Sequence, residues 1–236
     1  MKALQFIALN SWCSIIIPTL NEAEHLPITL GALPIKGFEI IVVDGGSTDG
    51  TPAIARSFGA KVVTSPAGRA RQLNAGARAA TGDWFYFLHA DTQPPPNLSL
   101  HLRTAAHNGF PCCFSIRFDR ENESRWLRLY GRMSKLSIST FRFGDQSLFV
   151  SRKHFLDCGG YRENYLLMEG HELARRIRKT AGGFRVLDDS VTTSSRRYLQ
   201  HGVVFTQLVF VLIVMLYYAG VPQQKLVQIY VRSFSD

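Results

Sequence analysis

The sequence predicts an α/β fold with a mainly parallel sheet flanked by helices, and three features of its 236 residues carry that prediction. Apolar runs recur at residues 14–18 (SIIIP), 39–43 (EIIVV), 61–64 (KVVT) and 84–88 (WFYFL). Helix-forming stretches lie between them. The first, second and fourth runs also stop abruptly at residues capable of chemistry, at 19–22, at Asp44 and at Asp91. Continuous apolar runs mark strands buried on both faces, and their alternation with helices calls for right-handed parallel crossovers.

Residues 14–18 form the first strand, which Pro18-Thr19-Leu20-Asn21 breaks. Asn21 is expected to cap a following helix, with Glu22 and Glu24 near its positive end. The second strand closes in Asp44-Gly45-Gly46-Ser47. Thr51-Pro52 then reads as N-cap and first helical residue, and Gly59 as the stop. Residues 68–81 hold strong helix formers before a stop at Gly82, which leads into the aromatic strand. Beyond Pro94-Pro95-Pro96 the pattern predicts a helix over 97–107, a strand over 114–118, a basic helix over 124–138 and a strand over 146–150. Ser151 caps a short helix, residues 169–180 form a longer one, and 184–187 and 191–193 are short strands. Residues 203–221 are the most apolar segment. A spanning helix needs about 20 apolar residues, so this stretch suits a helix packed on the domain, one lying in a membrane interface, or an anchor.

The formal charge is +9, with basic clusters at 117–135, at 175–179 and at Arg196-Arg197. Such clusters suit phosphates, acidic lipid surfaces or nucleic acid. The basic stretches lack interleaved aromatics and any recognisable nucleic-acid module, so nucleic acid is not expected as a partner. The cysteines, Cys13, Cys112, Cys113 and Cys158, form no C-x-x-C pair. A reducing cytosol is the simpler setting for them. No signal peptide is read at the start.

In parallel sheets ligands bind past the carboxyl ends of the strands. Asp91 alone could equally be a turn residue before the prolines. Asp44 at a second strand end, with glycines that allow close backbone approach, strengthens the ligand reading. With Arg69 and Arg71 opening the intervening helix, the set makes a candidate nucleotide-diphosphate site. One carboxylate would hold sugar or base, and the other a hard cation bridging the phosphates. The G-x-G-x-x-G and G-x-x-x-x-G-K signatures are missing, which disfavours a dinucleotide fold or a P-loop.

The ordered segments SIIIPTLNEAEHL (14–26), EIIVVDGGSTDGT (39–51), GRARQLNAGARAATGDW (68–84) and FLHADT (87–92) resemble family 2 glycosyltransferases of the GT-A, Rossmann-like fold. GDQSLFVSRKHF (144–155), GGY (159–161), LMEGHEL (167–173) and TSSRRY (193–198) extend the likeness to a bacterial subgroup associated with radical-SAM and selenoprotein-related domains. The resemblance implies a nucleotide-sugar donor, UDP-linked, with Mg or Mn, and inverting transfer to a hydroxyl acceptor, lipid-linked acceptors included. Pro18, Thr19, Asn21, Glu22, Asp44 and Gly45 match the positions that cradle uracil and ribose. Arg69 matches a donor contact, Asp91 the metal ligand, and His89 the place where many relatives carry a first Asp. The expected base is an Asp in Met-Glu-Asp-x-Glu-Leu, but here that position is Gly170. Glu169, His171 and Glu172 remain as candidates, Glu169 first, with Asp145 a further carboxylate near the acceptor. A weakened, donor-binding protein is the alternative. The resemblance implies a transferase domain over 1–195, its donor half about 14–92 and its acceptor half about 93–195. Residues 196–236 form a helical appendage. The implied location is cytoplasmic, peripheral to or anchored at the inner membrane face, where an anionic surface could be a partner.

Overall fold

The computed structural model of the chain describes residues 11–135 and 146–234. Its first half is four strands and three crossovers: β1 (Cys13–Thr19), α1 (Leu26–Gly31), β2 (Phe38–Asp44), α2 (Thr51–Ser57), β3 (Lys61–Thr64), α3 (Arg69–Ala79) and β4 (Trp84–Phe87). Pairs β1/β2, β2/β3 and β1/β4 are parallel, as expected. The second half contributes β5 (Thr92–Gln93), α4 (Leu98–His107), β6 (Cys112–Phe118), α5 (Arg125–Met133), β7 (Leu148–Ser151), α6 (Arg152–Asp157), α7 (Glu169–Thr180), β8 (Arg185–Thr193), α8 (Arg196–His201), α9 (Val203–Tyr218) and α10 (Gln223–Phe234). Among the described residues the sheet has eight strands in the order β3-β2-β1-β4-β7-β6-β8-β5. Strand β7 runs antiparallel to both β4 and β6, so the sheet is mixed.

Alternation along the central strands fills both faces. Ile15, Ile17, Val42 and Tyr86 point to one core with α1, α2 and α4. Ile16, Ile41, Val43, Phe85 and Phe87 point to the other, against α3, α6 and α7. The α3 helix lies close on the sheet because Gly76 has no side chain. A Cβ there would overlap the Ile16 methyl and come within 2.9 Å of Val43.

Several expectations are corrected. Asn21 caps no helix. Its φ is +56° and α1 starts at Leu26, with Pro27 in the first turn. The backbone N–H groups of Asn21 and Glu22 instead donate to the side chains of Ser47 and Thr51, tertiary partners that outcompete a local cap. The predicted strands at 184–187 and 191–193 are one strand, β8, which starts one residue later, at Arg185. Its register against β6 shifts between Phe114 and Ser115, where the Ser115 hydroxyl bonds the Asp189 carbonyl. The basic helix is shorter than predicted: it ends at Met133, Ser134 and Lys135 form a turn, and 136–138 of the predicted span lie outside the described residues. The anchor reading of residues 203–221 also falls. Helix α9 has 16 residues, and no helix among the described residues is long and apolar enough to cross a membrane.

Candidate functional site

The chain runs from β1 to β2 and β3, then returns to β1's other side as β4. That reversal opens a crevice beyond the carboxyl ends of β1 and β4. A cleft of about 350 Å³ occupies it, and Pro18, Thr19, Glu22, Arg69, His89 and Asp91 all line it. Those predicted residues are brought together as expected. Asn21, Asp44 and Gly45 stand beside the cleft and do not line it.

The donor-side loops brace one another. Thr19 is in register with Asp44. Thr48 N–H donates to Asn21 Oδ1 (2.9 Å) and Ala23 N–H to Asp49 Oδ2 (3.0 Å). The Thr51 hydroxyl, also bonded to Asp49, holds that exposed carboxyl below its ordinary range. Asp44 Oδ2 accepts from the Gly46 and Ser47 N–H groups at 3.0 Å each. Its Oδ1 is buried without a hydrogen-bond partner, as is Glu22 Oε2. Buried acceptors are ordinarily satisfied, so two orphans beside one cleft call for a ligand with donor groups. Gln72, quoted in GRARQ but given no role by the sequence, reaches from α3 to the Thr19 and Val43 carbonyls (2.8 and 2.9 Å). It thereby locks the ends of β1 and β2 together. Gly45 makes room for it, since a Cβ there would sit 2.9 Å from the Gln72 amide nitrogen.

The Asp91 side is built from residues 192–196. Ser194 N–H donates to the Asp91 carbonyl (3.2 Å), and Thr92 pairs with Thr193 across β5 and β8. Asp119 accepts from both the N–H and the hydroxyl of buried Ser195 (2.9 and 2.5 Å). This bracing sets Arg196 Nη2 at 3.1 Å from Glu22 Oε1 and 3.8 Å from Asp91 Oδ2. Sequence reasoning placed Arg196 only in a basic cluster. Its one signal was the match of TSSRRY.

No group of three or more His, Cys, Asp or Glu able to hold a metal ion occurs among the described residues. Asp91, with a side chain 23% exposed, faces the same cleft as Glu22. One or two carboxylates completed by substrate phosphates is the usual ligand set of Mg²⁺. These residues therefore fit a substrate-bridged divalent ion and not a protein-only metal cage.

A narrower compartment adjoins the cleft through shared Pro18, Arg69 and His89, and Glu169, Gly170, Tyr161 and Gln146 line it. Glu169 begins α7, is 5% exposed, and holds Arg69 Nη1 at 3.3 Å. Burial, and then the Glu169 charge, push the Tyr161 phenol well up, so it stays a neutral donor. Glu172 lines neither compartment. Arg176 grips both its oxygens at 2.7–2.9 Å and Arg162 approaches to 3.4 Å. His171 Nε2 lies 2.8 Å from the Tyr218 hydroxyl on α9. The geometry thus separates three candidates that sequence spacing left together: Glu169 faces the site, while Glu172 and His171 tie α7 to its neighbours. Asp145 lies outside the described residues.

The model of glycosyl transferase family 2 matches residues 14–166. An uncharacterized glycosyltransferase of Mycobacterium tuberculosis is 40% identical over 79 residues, covering 33% of this chain and 36% of the relative. A PGL/p-HBAD biosynthesis glycosyltransferase of the same species is 42% identical over 88 residues, covering 33% and 34%. The matched segment therefore spans about a third of these relatives' length. Among solved structures, the Pyrobaculum calidifontis mannosyltransferase with GDP-Man and Mn²⁺ superposes with TM-score 0.68 at 19% identity, over 88% of this chain and 64% of that one. Glucosyl-3-phosphoglycerate synthase of M. tuberculosis, with Mn²⁺, UDP and glucosyl-3-phosphoglycerate, gives 0.63 at 19% identity over 89% and 80%. At such identities the likeness establishes the fold, which is that of GT-A glycosyltransferases.

Proposed function

Since the chain belongs to glycosyl transferase family 2, we propose that it transfers a sugar from a nucleoside-diphosphate-sugar, UDP-linked, to an acceptor hydroxyl, with inversion. The observation that carries this is the convergence of Glu22, Arg69, His89, Asp91 and Arg196 on one strand-end cleft beside two orphaned buried carboxylate oxygens. Asp44 Oδ1 and Glu22 Oε2 receive N–H or O–H groups of the base and ribose. Arg69 and Arg196 draw the diphosphate into place. A divalent ion at Asp91, when bound, neutralises charge on the departing diphosphate. Glu169 accepts the acceptor's proton from the adjoining compartment. The acceptor oxygen bonds to the anomeric carbon as the bond to the diphosphate breaks, and a single displacement inverts the centre.

The alternative, a donor-binding protein that has lost transfer, is not favoured: the matched relatives are described as transferases. The segments LMEGHEL and TSSRRY support placement in the radical-SAM and selenoprotein-associated subgroup. The apolar C-terminal helices support a lipid-linked acceptor at the cytoplasmic membrane face. The residues divide into a transferase domain over 1–195 and a C-terminal appendage over 196–236.

Thermal-shift titration with UDP-sugars and GDP-sugars, with and without Mn²⁺, tests the donor site. Metal-dependent stabilisation by UDP-sugar, lost in Asp91→Ala, is expected. No response to any nucleotide overturns the proposal.

A further inference from the structure

We propose that the outward face of α9 docks onto an anionic lipid bilayer, holding the cleft at the membrane surface. The inference rests on the transferase reading only for its purpose, the delivery of a lipid-linked acceptor. Docking itself is a property of the surface.

Helix α9 contains no charged residue. Thr206, Val209, Ile213 and Val214 are buried on its inner side. Val204, Leu208, Val211, Leu212, Met215 and Tyr218, at helical spacing, are 40–63% exposed on its outer side. A helix apolar around its whole circumference needs apolar cover on every side. Helices α5, α8 and α10 supply the inner cover, and the outer side is open among the described residues. At 1.5 Å per residue its 16 residues reach about 24 Å, short of the roughly 30 Å hydrocarbon core. The helix is therefore suited to lie along a bilayer and not to cross it.

Charge selects the kind of surface. From Ser190 to Ser235 the chain has no acidic residue, while it carries Arg196, Arg197, Lys225 and Arg232. The neighbouring α5 adds Arg125, Arg128 and Arg132, again without an acid, and exposes Trp126 (60%) and Leu129 (48%). An apolar strip bordered by guanidinium groups and an indole is the side-chain set of a bilayer interface. Anionic headgroups match that border, although Glu121, Asp188 and Asp189 line a cavity with Arg128 and Arg132 on the other side of α5. The same helix walls the cleft, because Phe210 lines it. A bilayer on the outer face therefore lies about one helix diameter, roughly 10 Å, from the cleft.

The test is co-sedimentation of the full chain with phosphatidylcholine vesicles and with vesicles also containing phosphatidylglycerol. Binding to the anionic vesicles, weak on pure phosphatidylcholine and falling with added salt, is expected. Leu208→Glu/Met215→Glu should abolish it without altering the thermal response to UDP-sugar. Arg125→Glu/Arg128→Glu, on a different helix, should weaken it by roughly tenfold or more at the membrane-surface worth of each basic residue, and this covers the case where the first variant misfolds. No binding to anionic vesicles, or binding that neither variant reduces, overturns the proposal. So does a solution dimer that Leu208→Glu/Met215→Glu dissociates, which would assign the face to a second copy. Vesicle binding without any nucleotide response would sink the transferase reading alone and leave this one standing.

Discussion

Glutamine at position 169 keeps the volume and one oxygen of the side chain but removes its charge and its capacity to take a proton. Two effects follow, and their sizes separate them. Arg69 Nη1 lies 3.3 Å from Glu169 Oε1, with side chains 47% and 5% exposed. At an effective dielectric near 20, unit charges at that distance attract by roughly 5 kcal/mol before desolvation. Water on the half-exposed Arg69 and the cost of burying Glu169 reduce the net to about 1–2 kcal/mol. Glu169→Gln should therefore lower Tm by roughly 2–8 °C. Loss of a general base costs roughly 10²–10⁴ in rate, about 2.7–5.5 kcal/mol of barrier. The rate effect is the larger, and it belongs to kcat. Single-turnover transfer measured beside calorimetric titration of UDP with Mn²⁺ should show kcat falling at least a hundredfold, with donor affinity changed only a few-fold. If kcat stays within about threefold while donor binding persists, Glu169 is not the base. If affinity falls and kcat holds, it serves only to position Arg69.

Arg176→Ala should be strongly destabilising. It strips bidentate contacts from Glu172 (1% exposed) and leaves Arg162 as the remaining cation, a loss of about 3 kcal/mol and roughly 6–12 °C in Tm by calorimetry. Glu39→Gln removes the charge that Ser14, Thr81 and Lys61 recognise. Burial raises the Glu39 pKa, but those hydrogen bonds and Lys61 outweigh it and hold it below its ordinary 4.5. Its stabilisation is therefore complete above pH 4.5 and is lost as pH falls through the lower folded value, so the stability gap between wild type and variant should close on acidification, read by chemical denaturation. On the proposed reading a diphosphate competes with Glu169 for Arg69, so donor should bind before acceptor. Product-inhibition kinetics with UDP competitive against the donor and noncompetitive against the acceptor would show this, and random-order patterns would refute it.

The half of the fold built from local periodicity was legible in the sequence, and the half built from tertiary choice was not. Strand β3 and helix α7 fall at the predicted bounds because their apolar runs and stops are unambiguous over short windows. Asn21 misled because an Asn after a strand reads as a cap, whereas residues 47–51 supply the partners that hold it in a left-handed turn. Pro27, favoured in a first helical turn, was the overlooked signal for where α1 begins. Strand β8 read as two because Asp188-Asp189 interrupts the apolar pattern, and only the bulge opposite Ser115 accommodates them. Strand-end logic pointed to Asp91 and Glu22, which the structure places on one cleft. It could not separate Glu169 from Glu172, since positions three apart share a helix face and only Arg176 and Arg162 show which carboxylate is already engaged. Arg196 depends on Asp119, Ser195 and the β5–β8 pairing, contacts spanning more than seventy positions that no short pattern encodes.

The electrostatics of the cleft narrow what can occupy it. Arg69 opens α3 and Glu169 opens α7, so two helix N-termini, each a partial positive charge, meet at the boundary between the compartments. Arg69 is balanced by Glu169, while Arg196 is shared between Glu22 and Asp91. A free anion would gain the guanidinium groups but leave Glu22 and Asp91 facing it. A free cation would gain those carboxylates but meet Arg196 between them. A diphosphate with a divalent ion would suit both: Arg69 and Arg196 would face the phosphates, and Asp91 would hold the ion, which would neutralise the phosphate charge. On the proposed reading, that rearrangement would also release Glu169 from Arg69 and so couple donor binding to the proposed base. On the same reading, Gly170 removes one carboxylate while the neighbouring Glu169, paired with Arg69, remains to take the proposed role.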